Sequence, residues 1–347
     1  MEDGTEPLYI AGAMYGLGHM YRNGEGVEQD YAKAVEWFTK AADLGQRDAM
    51  NYLGYMYDTG EGVEQDYAKA IEWYTKAADS GQATAMSNIG YMHRNGNGVE
   101  QDYAKAIEWF TKAADSGNAT AMKNLGEMYN HGEGVEQDYA KAIEWYTKTA
   151  DLGNTGAMSN LGYMYAHGEG VEQDYAKAIE WYTKAVDLGN SGAMNKLGYM
   201  YAHGEGVEQD SAKAIEWYTK AADLGDTTAM SNLGNMYADG EGVEQDYAKA
   251  IEWYTKAVDL GDADTMNNLG YMYYTGEGVE QDYAKAAEWF TKAADLGQAA
   301  AMNNLGLMYE HGIGVEQDSA KAIEWYTKAA DLGNTEAGEY LEKLQEQ

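Results

Sequence analysis

The sequence holds 347 residues, with 24 basic against 58 acidic side chains, a net charge of −34, 42 glycines, one proline and no cysteine. Affinity for nucleic acid comes mostly from Lys and Arg neutralising phosphates, so this balance excludes a nucleic-acid binder. Without cysteine there is no disulfide framework, thiolate metal site or cysteine nucleophile. No apolar run approaches the roughly 18–20 residues of a membrane span. The opening MEDGTEPLYIAGAM lacks the basic and apolar regions of a signal peptide, so a soluble chain is expected, its compartment open between cytoplasm and periplasm or exterior.

Length alone suggests about two domains. The periodicity argues instead for one array, because Trp recurs at 37, 73, 109, 145, 181, 217, 253, 289 and 325, every 36 residues. Residues 1–12 form a lead in which only Leu8, Tyr9 and Ile10 can cover the first repeat, making that end the weaker cap and a place for end-to-end association. From Ala13, taken as position 1, the unit reads AMxNLGYMYxxGEGVEQDYAKAIEWYTKAADLGxxx, and nine copies fill 13–336. A period of this size marks a solenoid, in which each unit leaves an apolar face that its neighbour buries. Residues 337–347 begin a tenth copy whose Glu339, Glu342, Lys343 and Glu346 suit a polar capping helix.

Each unit is predicted to hold two antiparallel helices. In helix A, Ala49, Leu53 and Met56 share one stripe and Met50, Gly54 and Tyr57 the next, until Gly60-Glu61-Gly62 stops it. Helix B opens at Asp66 as N-cap and closes at Ser80-Gly81, where glycine suits the left-handed conformation. Between them Tyr67, Ile71, Tyr74 and Ala78 form one apolar stripe and Ala70, Trp73 and Ala77 another, while Glu72 and Lys76 make an i, i+4 surface pair. Met at two fixed positions accounts for 18 of the 19 methionines, so the Met and Trp ladders are read as core. Glycine within helix A costs about 1 kcal/mol against alanine. Its repetition implies close helix approach.

Motifs such as Asn160-Leu161-Gly162-Tyr163-Met164-Tyr165 followed by Gly168-Glu169-Gly170-Val171 resemble the Sel-one-like repeat, a relative of the tetratricopeptide repeat. The resemblance covers Ala13 to Gly333. It implies an all-α, right-handed α/α superhelical solenoid whose A helices line a concave groove. It also implies adaptors that scaffold protein complexes, in bacterial envelope regulation, bacterial contact with host cells and eukaryotic ER quality control. A cysteine-rich branch linked to β-lactam binding and hydrolysis is departed from here by the absence of cysteine.

Nine copies in one chain can be compared with each other. Divergence concentrates at positions 3, 7, 10 and 11 and in the last three residues; position 36 of one unit and positions 3, 7 and 10 of the next share a stripe of helix A. By resemblance this stripe is the groove. Frame positions supply 43 of the 58 acids and 18 of the 24 bases. The remainder places Arg22, Arg47, Arg94, Lys123 and Lys196 early and Asp226, Asp239, Asp262, Asp264, Glu310 and Glu336 late, so the groove is expected to be mixed, then acidic, and to suit a basic or bipolar protein or peptide.

Three ladders are candidate contacts. Asn88, Asn124, Asn160, Asn232, Asn268 and Asn304 share position 4, broken by Gly16, Tyr52 and Lys196. By resemblance to tetratricopeptide grooves they hold a peptide backbone; a carboxamide at this place equally suits a bond between repeats. Tyr55, Tyr91, Tyr163, Tyr199 and Tyr271 at position 7 present amphipathic rings favoured in recognition. His131, His167 and His203 at position 11 form a partner-facing or solvated row, because helix layers about 8–10 Å apart cannot share a metal with bonds near 2 Å. No metal, cofactor or catalytic residue is expected: no Ser-His-Asp set leaves the frame, and the Gly-Glu-Gly-Val-Glu-Gln-Asp loop lacks EF-hand spacing. The alternatives to an adaptor are a purely structural array and an enzyme of the β-lactam branch. A chain whose units are this nearly identical encodes little recognition if the first alternative holds.

Overall fold

A computed structural model describes residues 6–345, and among these it places nineteen helices and no strand. The contacts fall into two compact units, Met1–Ala178 and Ile179–Gln347. The first contains α1 (Glu6–Asn23), α2 (Tyr31–Asp43), α3 (Arg47–Thr59), α4 (Tyr67–Asp79), α5 (Ala83–Asn95), α6 (Tyr103–Asp115), α7 (Ala119–His131), α8 (Tyr139–Asp151) and α9 (Thr155–His167). The division falls inside α10 (Tyr175–Asp187) and not at a linker. The second contains α11 (Ser191–His203), α12 (Ser211–Asp223), α13 (Thr227–Asp239), α14 (Tyr247–Asp259), α15 (Ala263–Thr275), α16 (Tyr283–Asp295), α17 (Ala299–His311), α18 (Ser319–Asp331) and α19 (Thr335–Gln345). Odd-numbered helices are the A helices and even-numbered ones the B helices. Within each unit every helix packs on its chain neighbours, and A helices also meet directly, α3 with α5, α5 with α7 and α17 with α19. This is an all-α solenoid of helix pairs.

The expected punctuation is present. Asp66 caps α4, its carboxylate accepting from the Lys69 backbone N–H at 3.0 Å, and Gly60 ends α3 at φ +78°. The turn between them is closed by Gln65, whose amide donates to the Asp58 carbonyl at 2.7 Å and to the Tyr67 hydroxyl at 3.0 Å. Gly62 lies against the preceding repeat: a Cβ there would sit 2.7 Å from the Tyr31 carbonyl carbon, at φ +76°. Backbone approach and left-handed conformation both require glycine.

Ala49, Leu53 and Met56 of α3 are fully buried, as are Ala70 and Ala77 of α4, with Tyr74 almost so. The mid-helix glycine faces a ring rather than a backbone: a Cβ on Gly126 would lie 2.6 Å from Tyr146. Burying a large apolar side chain stabilises by about 1.5–3 kcal/mol, more than the roughly 1 kcal/mol that glycine costs in a helix. Tryptophan sits at the edge of the core instead of within it. Trp73 is half-buried, packed on a cluster that joins Leu53 of its own repeat to Ala34 and Phe38 of the preceding one, with the Lys76 ammonium 4.1 Å over its ring.

At the front, residues 6–12 extend the first A helix rather than folding back as a cover. Ala11 is buried, whereas Tyr9 and Ile10 are 79 % and 46 % exposed, and the Leu8 side chain lies outside the described residues. At the back, α19 carries Glu339, Glu342 and Lys343 on its outer side and packs through Ala337 and Tyr340.

Candidate protein-binding face of the A helices

Position 7 points outward. Tyr55, Tyr91, Tyr163, Tyr199 and Tyr271 are 38–53 % exposed. The histidines one turn on are held to their own helices, with Nδ1 of His131, His167 and His203 each 2.9 Å from the carbonyl oxygen four residues earlier. Tyr163 stacks on His167 at 4.0 Å between centroids, and Tyr199 on His203 at 4.1 Å. Among the described residues no group of three or more His, Asp or Glu is placed to hold a metal ion.

The carboxamides at position 4 are half-buried and engaged between repeats. Asn88 donates to Asn51 at 3.2 Å, Asn232 to Asn195 at 3.1 Å and Asn304 to Asn267 at 3.0 Å, each acceptor at position 3 of the preceding unit. Asn268 reaches Asn235 at 3.5 Å, and Asn124 accepts from Arg94 at 3.1 Å. Position 3 is therefore drawn into the contact between A helices: Asn51, Ser87 and Asn303 are buried, and the varied stripe is not one continuous exposed surface.

The cations expected to mix the early groove are largely spoken for. Arg22 forms a two-bond pair with Glu61 of the next repeat at 3.1 and 3.2 Å and lies over the rings of Tyr52 and Tyr55. Arg94 repeats the pair on Glu133 at 2.8 and 3.0 Å and adds Glu127 at 3.2 Å. Lys123 pairs with Glu127 at 2.9 Å. Burial raises the Glu127 carboxyl, but Lys123 and Arg94 more than reverse this and hold it below the usual range. Lys196 is exposed.

Part of the late acidity is also structural. Asp226 and Asp262 cap α13 and α15 by accepting from Ala229 and Thr265 backbone N–H groups, as Gln46, Asn118 and Asn154 do at the same position. Asp264 accepts from Gln298, Glu310 from the Tyr326 hydroxyl at 2.8 Å, and Glu336 from Asn303. The signal for this capping was present, because position 34 varies only among Gln, Asn and Asp, all with a side-chain oxygen able to accept. A cleft of about 460 Å³ opens between the fourth and fifth repeats, lined by Glu127, Asn130, His131, Gln137, Tyr139, Tyr146, Asn160, Tyr163, Met164 and Glu169. A smaller one of about 260 Å³ lies at the corresponding place between the sixth and seventh, lined by Tyr199, Ala202, His203, Tyr218, Asn232, Asn235, Met236 and Glu241.

The Sel1 repeat profile matches nine consecutive segments, 11–46, 47–82, 83–118, 119–154, 155–190, 191–226, 227–262, 263–298 and 299–334. The chain belongs to the Sel1 repeat family. Its Sel1 units begin two residues before the frame drawn at Ala13, a choice of origin within the same 36-residue period. Among solved structures it is similar to c5321, a protective antigen of uropathogenic Escherichia coli with an SLR fold, at 40 % identity and TM-score 0.66 over 98 % of this chain and 73 % of that one. It is also similar to a Sel1 repeat protein from Oxalobacter formigenes, at 34 % identity and TM-score 0.70 over 89 % and 90 % of the two chains. Comparison with curated proteins gives no significant match. Sel1 repeats build scaffolds that commonly serve protein interaction, and no helix among the described residues is long and apolar enough to cross a membrane.

Proposed function

We propose that this Sel1-repeat chain is a non-enzymatic scaffold that binds a basic or bipolar protein or peptide segment along the A-helix face. The observation that carries the reading is the row of position-7 tyrosines, exposed at five repeats while the position-26 rings are buried. Amphipathic rings of low conformational entropy, presented repeatedly on one face, are what recognition surfaces use. The net charge of −34 favours a basic partner and disfavours nucleic acid, and its field would chiefly speed and orient association. The position-4 carboxamides would contact a peptide backbone through whatever hydrogen-bonding capacity their bonds between repeats leave.

Those same bonds favour a second reading, a structural array whose polar ladders serve only its own stacking. A peptide-display library panned on the wild type and on a Tyr91→Ser, Tyr163→Ser, Tyr199→Ser, Tyr271→Ser variant separates the two, once circular dichroism shows both folded. Enrichment of basic sequences on the wild type alone supports the scaffold. No enrichment supports the structural array, and equal enrichment places binding off the tyrosine row.

A further inference from the structure

The protein's own arginines show what the clefts between repeats are shaped to hold. Arg22 and Arg94 both project from position 10 and end on positions 4, 7 and 13 of the following repeat. For Arg94 these are Asn124, Glu127 and Glu133, all within hydrogen-bond distance. For Arg22 they are the Tyr52 and Tyr55 rings, 5.5 and 5.3 Å from the guanidinium carbon, and the two-bond pair with Glu61. Stacking on an aromatic face and a paired-oxygen carboxylate contact are the two ways in which proteins recognise a planar guanidinium.

Between the fourth and fifth repeats the same positions are Asn160, Tyr163 and Glu169, and all three line the 460 Å³ cleft. Position 10 there is Asn130, too short to reach them, and its buried Oδ1 has no hydrogen-bond partner. Position 13 departs from glutamate only at Asn97, which follows Asp58 at position 10, and at Ile313, which follows Tyr274. It remains glutamate where position 10 has become Asn130 or Ala202. The carboxylate is thus kept where the internal arginine is missing.

We propose that the cleft of Asn160, Tyr163 and Glu169 is a receptor for an arginine side chain supplied by the partner. The partner's guanidinium takes the place that Arg94 fills one repeat earlier. Glu169 accepts two parallel N–H bonds, Tyr163 offers the stacking face seen at Tyr55, and Asn160 accepts as Asn124 does. This specifies the basic residue for the scaffold reading above and rests on that reading for its biological occupant.

The test uses the full chain with ¹³C-methyl-labelled methionine, because Met164 lines the cleft. N-acetyl-L-arginine amide is titrated beside its citrulline and lysine counterparts. The expected result is a saturable Met164 shift with a roughly millimolar Kd for arginine and binding at least about tenfold weaker for the other two. Glu169→Gln should remove the effect. Asn130→Arg should block it by filling the cleft as Arg94 does. No saturable shift, equal response to citrulline or lysine, or indifference to Glu169→Gln would overturn the proposal. Library peptides that bind the tyrosine face and tolerate arginine-to-citrulline exchange would leave the scaffold standing without arginine receptors. An arginine response with no enriched peptide would retain the receptor and remove the scaffold.

Discussion

Gly126 shows how a residue that weakens a helix in isolation can stabilise the pair. A methyl at that position would stand 2.6 Å from the Tyr146 ring, in a core where that ring is 1 % exposed. Overpacking costs about 1–3 kcal/mol, against a helix-propensity gain of about 1 kcal/mol, so Gly126→Ala should lower stability in urea titrations. A gain would mean that the ring moves aside freely. Asp58 offers the opposite case, because burial raises its carboxyl above the usual aspartate range although the Tyr74 hydroxyl donates to it. With the folded pKa above the unfolded one, the penalty is absent below the ordinary value of 3.8 and develops as pH rises through the folded pKa. Asp58→Asn should therefore raise the melting temperature at pH 7 by about a degree or two, and the difference should vanish near pH 3. The glycine ladder was visible in sequence, but the atom opposite it was not, since periodicity gives faces and not partners.

Helix ends were legible where the capping residue is constant and obscure where it varies. Asp66 announced itself as an N-cap through repetition, whereas the cap of each A helix hid among the divergent last three residues of the unit. Gln82, Asn118, Asn154 and Asp226 all accept from a backbone N–H in the first turn, so variety at this position is chemically narrow. Asn118→Ala should cost about 1 kcal/mol and speed hydrogen exchange in the first turn of α7, while Asn118→Asp should not. An unchanged exchange rate in the alanine variant would show that the cap contributes little. The arginines were harder still: sequence placed Arg22 and Arg94 on the outer stripe, but the carboxylates they reach lie 39 residues on, in the turn of the next repeat.

At the scale of the array, stability is a sum of repeat terms and nearest-neighbour terms, and the polar contacts between repeats are unequal. Between α5 and α7, Arg94 ties together Glu127, Glu133 and Asn124, with Lys123 also on Glu127. Because the Glu127 carboxyl is held below its ordinary value of 4.5, its contribution is present above that value and is lost as pH falls through the folded pKa. Protection of α7 amides, taken relative to their intrinsic exchange rate at each pH, should fall in that acid range, and Glu127→Gln should flatten the dependence. Equal loss of protection in wild type and variant would place the labile group elsewhere. The fold class, the period and the helix count per repeat could be read from the chain because they are written nine times. The clefts could not, since each depends on a difference between two adjacent copies.

One consequence concerns light. Each of the nine tryptophans carries a lysine ammonium 3.9–4.4 Å over its ring, so the indoles share nearly the same charged surroundings. Their emission should form one narrow population in the folded array. As repeats unravel, the spectrum should change in proportion to the number released, and fluorescence would then count open repeats instead of registering a single all-or-none transition.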